Sequence, residues 1–66
     1  MFDYVLKTSL SGKRVITIIY QNGNEITERI VRVTSINEKE IIAYCYLRHQ
    51  YRHFKKENIL AAAYTH

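Results

Sequence analysis

The stretch VITIIYQNGNEITERIVRVT, residues 15–34, carries the clearest structural signal in the chain. Residues 15–20 are mostly β-branched or aromatic, which favours a strand. The Asn22-Gly23 pair that follows is typical of a tight hairpin turn, so the second half of the stretch is predicted to return as the paired strand. Alternation along the returning strand puts Thr27, Arg29, Val31 and Val33 on one face and Ile26, Glu28, Ile30 and Arg32 on the other.

A short helix is predicted before the hairpin, over residues 1–11. Apolar side chains recur there at close to helical spacing, at Phe2, Val5, Leu6 and Leu10. Asp3 lies near the start, where a negative charge stabilises a helix, and Ser11-Gly12 provides a stop. Tyr4 and Thr8 would suit a strand equally well, so a strand stays the alternative for this segment.

Two further strands are predicted after the hairpin, over residues 40–48 and 51–56. The first has a row expected to face the core, Ile41, Ala43, Cys45 and Leu47, and a row expected to face outward, Ile42, Tyr44, Tyr46 and Arg48. The connection near residues 49 and 50 lacks Gly and Asn, so its length stays open. An even number of loop residues would put Arg52 and Phe54 on the face of Cys45, and an odd number would put them with the tyrosines.

Residues 60–65 complete the predicted architecture. They suit a fifth strand, although three alanines would also allow a helical tail. Five short strands with tight connections predict a mainly β fold, a small and highly bent five-stranded barrel with a short N-terminal helix. The 66 residues contain no proline and no linker, so we expect a single domain over residues 1–66, with the barrel over residues 14–65.

The formal net charge of +4 comes entirely from residues 41–56, IIAYCYLRHQYRHFKK. This segment has four basic residues and no acidic one, whereas the rest of the chain has six of each. It also contains Tyr44, Tyr46, Tyr51 and Phe54, half of the aromatic residues. Guanidinium groups beside aromatic rings suit contacts with phosphates and bases, so the composition of this segment favours an anionic partner.

The composition argues against several classes of protein. The single cysteine, Cys45, excludes an intramolecular disulfide, and no apolar run approaches the length of a membrane span. We therefore expect a cytoplasmic protein without a membrane partner.

No catalytic group emerges from the sequence. The serines lack a matched base and acid, and two glycines cannot form a glycine-rich phosphate loop. His49 and His53 are four residues apart, but on a strand and a turn, without Cys or carboxylate partners in sequence, they do not predict a metal site. We expect neither enzymatic activity nor a cofactor, and Cys45 is expected to be a buried apolar residue rather than a nucleophile.

Residues 43–59 contain the string AYCYLR at 43–48, the string RHF at 52–54, and Ile59. Together these resemble the central signature of WYL domains. The strand that opens those domains is similar to the segment with Gly12, Val15, Ile18 and Tyr20, and the resemblance covers residues 2–64. The tripeptide that names the family would fall at Lys39-Glu40-Ile41, so its Trp and Tyr are absent, and Lys55 and Asn58 stand where arginine is common in the family.

The resemblance implies a small Sm-like, SH3-type barrel that acts as a ligand-sensing module in bacterial transcription regulators. Such a barrel usually accompanies a helix-turn-helix domain, and we expect this chain to be a stand-alone version. The implied ligand is a single-stranded nucleic acid or a nucleotide-type anion. The expected binding residues are Tyr44, Arg48, Arg52, His53 and Lys55, in which the arginines hold phosphate and the tyrosine contacts the base or sugar.

A second hypothesis is a structural or interaction barrel that binds no ligand. Apolar residues occupy both faces of the strand at residues 15–20, which is more than one small core needs. Ile42, Tyr44 and Tyr46 would then anchor an interface with a second copy of the chain or with a transcription regulator.

Overall fold

The computed structural model describes residues 3–65, which form an N-terminal helix, five strands and one short 3-10 helix. The elements in chain order are α1 (Asp3–Gly12), β1 (Ile16–Asn22), β2 (Glu25–Ile36), β3 (Glu40–Cys45), β4 (Gln50–Lys55), the 3-10 helix (Lys56–Asn58) and β5 (Ile59–Tyr64). The mainly β architecture and the N-terminal helix predicted from the sequence are confirmed. Phe2, predicted in the apolar stripe of the helix, lies outside the described residues.

The strands form one antiparallel sheet in the order β4-β3-β2-β1-β5. Within residues 3–65, β4 and β5 each pair with a single neighbour, so the sheet is open and is not closed into the predicted barrel. The sheet curls instead, so that Tyr20 of β1 packs edge-to-face on Phe54 of β4 with ring centres 5.0 Å apart. The Tyr20 hydroxyl also accepts the backbone N–H of Lys55 at 3.0 Å. One side chain thus joins β1 to the far edge strand.

The β1–β2 hairpin closes with a two-residue turn, Gly23-Asn24, because Asn22 is opposite Glu25. Gly23 has a φ of 63°, a left-handed conformation that glycine adopts without a steric cost. A positive φ at the first turn position is typical of type II′ turns, whose twist matches that of the flanking strands.

The β3–β4 hairpin has a four-residue turn, residues 46–49. Cys45 is opposite Gln50, so the loop is even-numbered. In this register Arg52 is opposite Ala43 and Phe54 is opposite Ile41, which places both on the inner face of the sheet.

The strand prediction extended too far at the end of β3. The strand ends at Cys45 rather than at Arg48, and His49 has a φ of 53° in the turn that follows. Leu47, predicted as a core residue, lies in that turn with 71% of its surface exposed. The prediction was wrong because the strand alternation was continued through residues that form the turn.

The core lies between the inner face of the sheet and α1, which contacts mainly β2 and β5. Its side chains are less than a tenth exposed and are Leu6, Ile16, Ile18, Val31, Val33, Ile41, Ala43, Cys45, Phe54 and Ile59. Burying one Val, Leu, Ile or Phe side chain contributes about 1.5–3 kcal/mol, so this cluster is the main source of stability.

The C-terminus of α1 is capped by a backbone hydrogen bond and a left-handed residue. Lys13 has a φ of 52°, and the N–H of Arg14 donates to the C=O of Ser9 at 3.0 Å. This geometry is the Schellman motif, in which the left-handed residue is usually glycine. The sequence predicted the stop at Ser11-Gly12, but the left-handed position is occupied by Lys13.

Ser9 connects the helix to the sheet. Its side chain is fully buried, and its Oγ accepts the N–H of Val33 at 2.9 Å and donates to the C=O of Arg14 at 2.6 Å. Ile16 is opposite Val31, so a longer β1 would place Arg14 opposite Val33. The Ser9 hydroxyl therefore lies between two backbone groups that would otherwise pair with each other.

Candidate functional site

Three tyrosines form a cluster on the outer side of the β3–β4 hairpin. The ring centre of Tyr44 is 5.1 Å from that of Tyr46 and 5.2 Å from that of Tyr51, with interplanar angles of 75° and 79°. Edge-to-face pairs of this kind contribute about 0.5–1.5 kcal/mol beyond the area they bury. Tyr51 is 62% exposed and Tyr46 is 37% exposed, while Tyr44 is half-buried at the centre. We call these residues the tyrosine cluster.

Strand pairing explains how the cluster forms. Ala43 and Cys45 are fully buried, so Tyr44 between them points outward. Tyr44 is opposite Tyr51 on β4, and Tyr46 follows directly after the end of β3. Aromatic rings held in this way at the surface can stack against the bases of a nucleic acid.

Two arginines lie close to the tyrosine cluster. Arg32 of β2 is opposite Tyr44, half-buried on the outer face. Arg48 is exposed in the same turn as Tyr46. Arg32 was not among the expected binding residues, although alternation had already placed it on the face of the strand opposite Val31. The missing information was the β2–β3 register, which is interrupted by a bulge after Val33.

Arg52 occupies a different environment from the tyrosine cluster. It is opposite the fully buried Ala43 and is itself half-buried on the inner face at the edge of the sheet. The structure therefore does not bring Arg52 together with Tyr44, contrary to the grouping expected from the sequence.

His53 and Lys55 lie on the outer face of β4 with Tyr51, and their side chains are exposed. The Nδ1 of His53 donates to the Oε1 of Glu40 at 3.0 Å. This hydrogen bond is the largest of the effects that lower the pKa of the Glu40 carboxyl. Because Glu40 offsets the charge of a protonated His53, that histidine offers an anion less positive charge than Arg48 does.

A shallow groove lies at the opposite end of the β3–β4 hairpin, next to the 3-10 helix. Its lining combines acidic and basic side chains, including Glu38, Lys39, Lys56 and Glu57. Asn37 shapes the groove because its Oδ1 accepts two backbone N–H groups of the β2–β3 turn, at 3.0 and 2.8 Å. Mixed charge gives this groove no net attraction for an anion, unlike the arginines beside the tyrosine cluster.

Residues 3–65 lack two further kinds of feature, a metal-binding cluster and a membrane span. No group of three or more His, Cys, Asp or Glu side chains is arranged to hold a metal ion. No helix in this part of the chain has the length and apolar character needed to cross a membrane.

The chain has the fold of part of a solved bacterial protein, proteasome accessory factor B/C (PafBC) of Arthrobacter aurescens. The two share 19% identity with a TM-score of 0.79, and the match covers 96% of this chain and 11% of the PafBC chain. This likeness supports a WYL-like fold. No family model matches the sequence, and no curated protein matches it either.

Proposed function

We propose that this chain is a WYL-like regulatory module that binds a single-stranded nucleic acid or a nucleotide-type anion on the outer face of β2, β3 and β4. The observation that carries the proposal is the tyrosine cluster, with two exposed rings, beside Arg32 and Arg48. A regulatory role is supported by the resemblance to WYL domains and by the fold shared with PafBC. In the cytoplasm, such a module would act with a transcription regulator that supplies DNA recognition.

The arginines and the tyrosines would have different roles in binding. A guanidinium binds phosphate through two parallel hydrogen bonds, which suits Arg48 in its exposed turn and Arg32 at the border of the cluster. Tyr46 and Tyr51 would stack with bases, a contact worth about 1–3 kcal/mol per base and tolerant of sequence. Lys55 would add electrostatic attraction from β4, and His53 would contribute when it is protonated.

The proposal is tested by fluorescence anisotropy with short labelled oligo(dT) and oligo(U), and by NMR titration with mononucleotides and sulfate. Affinity for the oligonucleotides should fall steeply between ~50 and ~200 mM salt, because neutralised phosphates release counterions. The amide shifts should cluster on Tyr44, Tyr46 and Arg48. Salt-independent binding, or shifts confined to the mixed-charge groove, would contradict the proposal.

Single substitutions separate the proposed face from other basic surfaces. Arg32→Ala and Arg48→Ala should each weaken binding and reduce the salt slope by about 0.7 per lost phosphate contact on a single strand. Arg14→Ala is the matched control, since it also removes one positive charge but this guanidinium lies over the Tyr64 ring, 4.3 Å from its centre. A greater loss of oligonucleotide affinity for Arg52→Ala than for Arg32→Ala would indicate a site on the inner face and would refute the proposed outer-face site.

A further inference from the structure

Two of the three rings in the tyrosine cluster are accessible to a ligand. Tyr44 contacts both other rings and is half-buried between them. Within residues 3–65, Tyr46 and Tyr51 each contact the ring of Tyr44 and no other ring. The cation–π pair of this part of the chain joins Arg14 to Tyr64 and does not involve the cluster. Each of the two exposed rings therefore keeps a surface that neither a ring nor a guanidinium covers.

The two exposed rings are anchored on opposite sides of β3. Tyr51 lies on β4, opposite Tyr44. The backbone N–H of Tyr46 donates to the C=O of Ile30 on β2 at 3.2 Å. Because β4 and β2 flank β3 in the sheet, the ring of Tyr44 separates the other two, which do not contact each other in the described structure. The tyrosine cluster therefore presents two separate aromatic surfaces instead of one continuous platform.

Two separate surfaces suit two bases that are not stacked on each other. Neighbouring bases in a stacked strand are about 3.4 Å apart. The ring centres of Tyr46 and Tyr51 are already 5.1 and 5.2 Å from that of Tyr44, which lies between them. A stacked pair of bases cannot reach both rings at that spacing, whereas the bases of a flexible single strand can be splayed apart so that each stacks on its own aromatic side chain.

We propose that the ligand unit of this face is a dinucleotide step with unstacked bases, one on Tyr46 and one on Tyr51. The inference rests on the proposed function and adds to it the number and the arrangement of the bases. The phosphate that joins the two nucleotides would lie near Tyr44, whose cross-strand partner is the half-buried Arg32. Arg48, in the turn that follows Tyr46, would bind the other phosphate of the same nucleotide.

Two ligands of equal charge test whether a second base is bound. The isotope-labelled protein is titrated by NMR with the thymidine dinucleotide pdTpdT and with analogues in which one base, in either position, is replaced by an abasic unit. The parent dinucleotide should bind roughly 5- to 150-fold more tightly than either analogue, because it gains one base–ring contact at unchanged charge. Intermolecular NOEs should connect one base to Tyr46 and the other to Tyr51.

Variants of the two rings assign the contacts. Tyr46→Leu and Tyr51→Leu each remove one stacking surface but keep an apolar side chain against Tyr44. Each variant should abolish most of the difference in affinity between pdTpdT and its abasic analogues, because the second base then has no ring to stack on. Tyr4→Leu is the matched control, since Tyr4 is 78% exposed on α1, outside the cluster, and this variant should keep the full difference.

The outcomes distinguish this inference from the function on which it rests. Equal affinity for pdTpdT and its abasic analogues, with amide shifts still on Tyr44, Tyr46 and Arg48, overturns the dinucleotide unit and leaves the anion site in place. NOEs from one base to both exposed rings also overturn it, because a single base then occupies both. Absence of shifts on the outer face with every oligonucleotide overturns the proposed function itself. The abasic comparison uses the parent protein, so it does not depend on how the variants fold.

Discussion

Ser9→Ala tests the argument that one hydroxyl fastens the helix to the sheet. The substitution removes the acceptor for the Val33 N–H and the donor for the Arg14 C=O. Val33 is buried, so its amide loses its partner away from water, at a cost of about 1–3 kcal/mol. Arg14 is exposed, so water can replace the bond to its carbonyl. Alanine returns at most about 0.5 kcal/mol through its higher helix propensity.

The expected net loss in the free energy of unfolding is therefore about 0.5–3 kcal/mol. A domain of this size has a total stability of roughly 3–10 kcal/mol, so the loss is large enough to measure by urea unfolding followed by circular dichroism. Ser11→Ala is the matched control in the same helix. The Ser11 hydroxyl is exposed and donates to the C=O of Lys7 at 2.9 Å, so its removal should be neutral or slightly stabilising.

Equal shifts of the unfolding midpoint in Ser9→Ala and Ser11→Ala, at an unchanged m-value, would refute the role assigned to the Ser9 hydroxyl. An intermediate result is also informative. A loss well below about 0.5 kcal/mol would show that the Val33 amide finds another partner, and hydrogen exchange at that amide would then be no faster than in the parent.

Three further predictions concern the helix end, a surface ion pair and the β3–β4 turn. Lys13→Gly should stabilise the protein by up to about 1 kcal/mol, because residue 13 has a left-handed backbone conformation that glycine adopts without strain. Lys7→Gly, inside the helix, should destabilise it by a similar amount. Thermal unfolding of the two variants measures the difference. The pKa of Glu40, followed by NMR, should lie below its ordinary value and should rise in His53→Gln. The pKa of Glu40 is lower in the folded than in the unfolded chain, so the ionised carboxylate stabilises the fold at pH values above the unfolded pKa. This stabilisation is lost as the pH falls through the folded pKa. A Glu40 pKa at its ordinary value would contradict the hydrogen bond with His53. Leu47→Ser should change the free energy of unfolding by less than about 0.5 kcal/mol, because the side chain is exposed. A larger loss in urea unfolding would show that Leu47 is part of the core.

The fold was largely predictable where local signals and the alternation of side chains agree. The Asn22-Gly23 signal and the β-branched run gave the first hairpin, although its two turn residues are Gly23 and Asn24, and the row Ile41, Ala43, Cys45 gave the buried face of β3. The prediction that Leu47 faces the core was wrong because alternation alone does not indicate where a strand ends. The turn after β3 contains neither Gly nor Asn, and His49 adopts the left-handed conformation without a local signal.

The candidate site was harder to predict because it depends on register between strands distant in sequence. Tyr44 and Tyr46 were predicted in an outward row, but the face of Tyr51 depended on the open length of the β3–β4 loop. Arg32 is opposite Tyr44 in a register that a bulge after Val33 shifts. Arg52 was grouped with Tyr44 because of the resemblance to WYL domains, while its face stayed open, since a single residue of loop length decides which face it takes. These are long-range properties, which composition and spacing do not encode locally.

The contact of Tyr20 with β4 lies at the corner where the chain itself also joins the two edges of the sheet. The ring of Tyr20 against Phe54 and its hydroxyl on the Lys55 amide connect β1 to β4 without a ladder of backbone hydrogen bonds. The three-residue 3-10 helix leads from the same end of β4 to Ile59, which is opposite Tyr20. A change at residue 20 should therefore loosen this corner without releasing β4, because the covalent connection keeps the end of that strand close to β1.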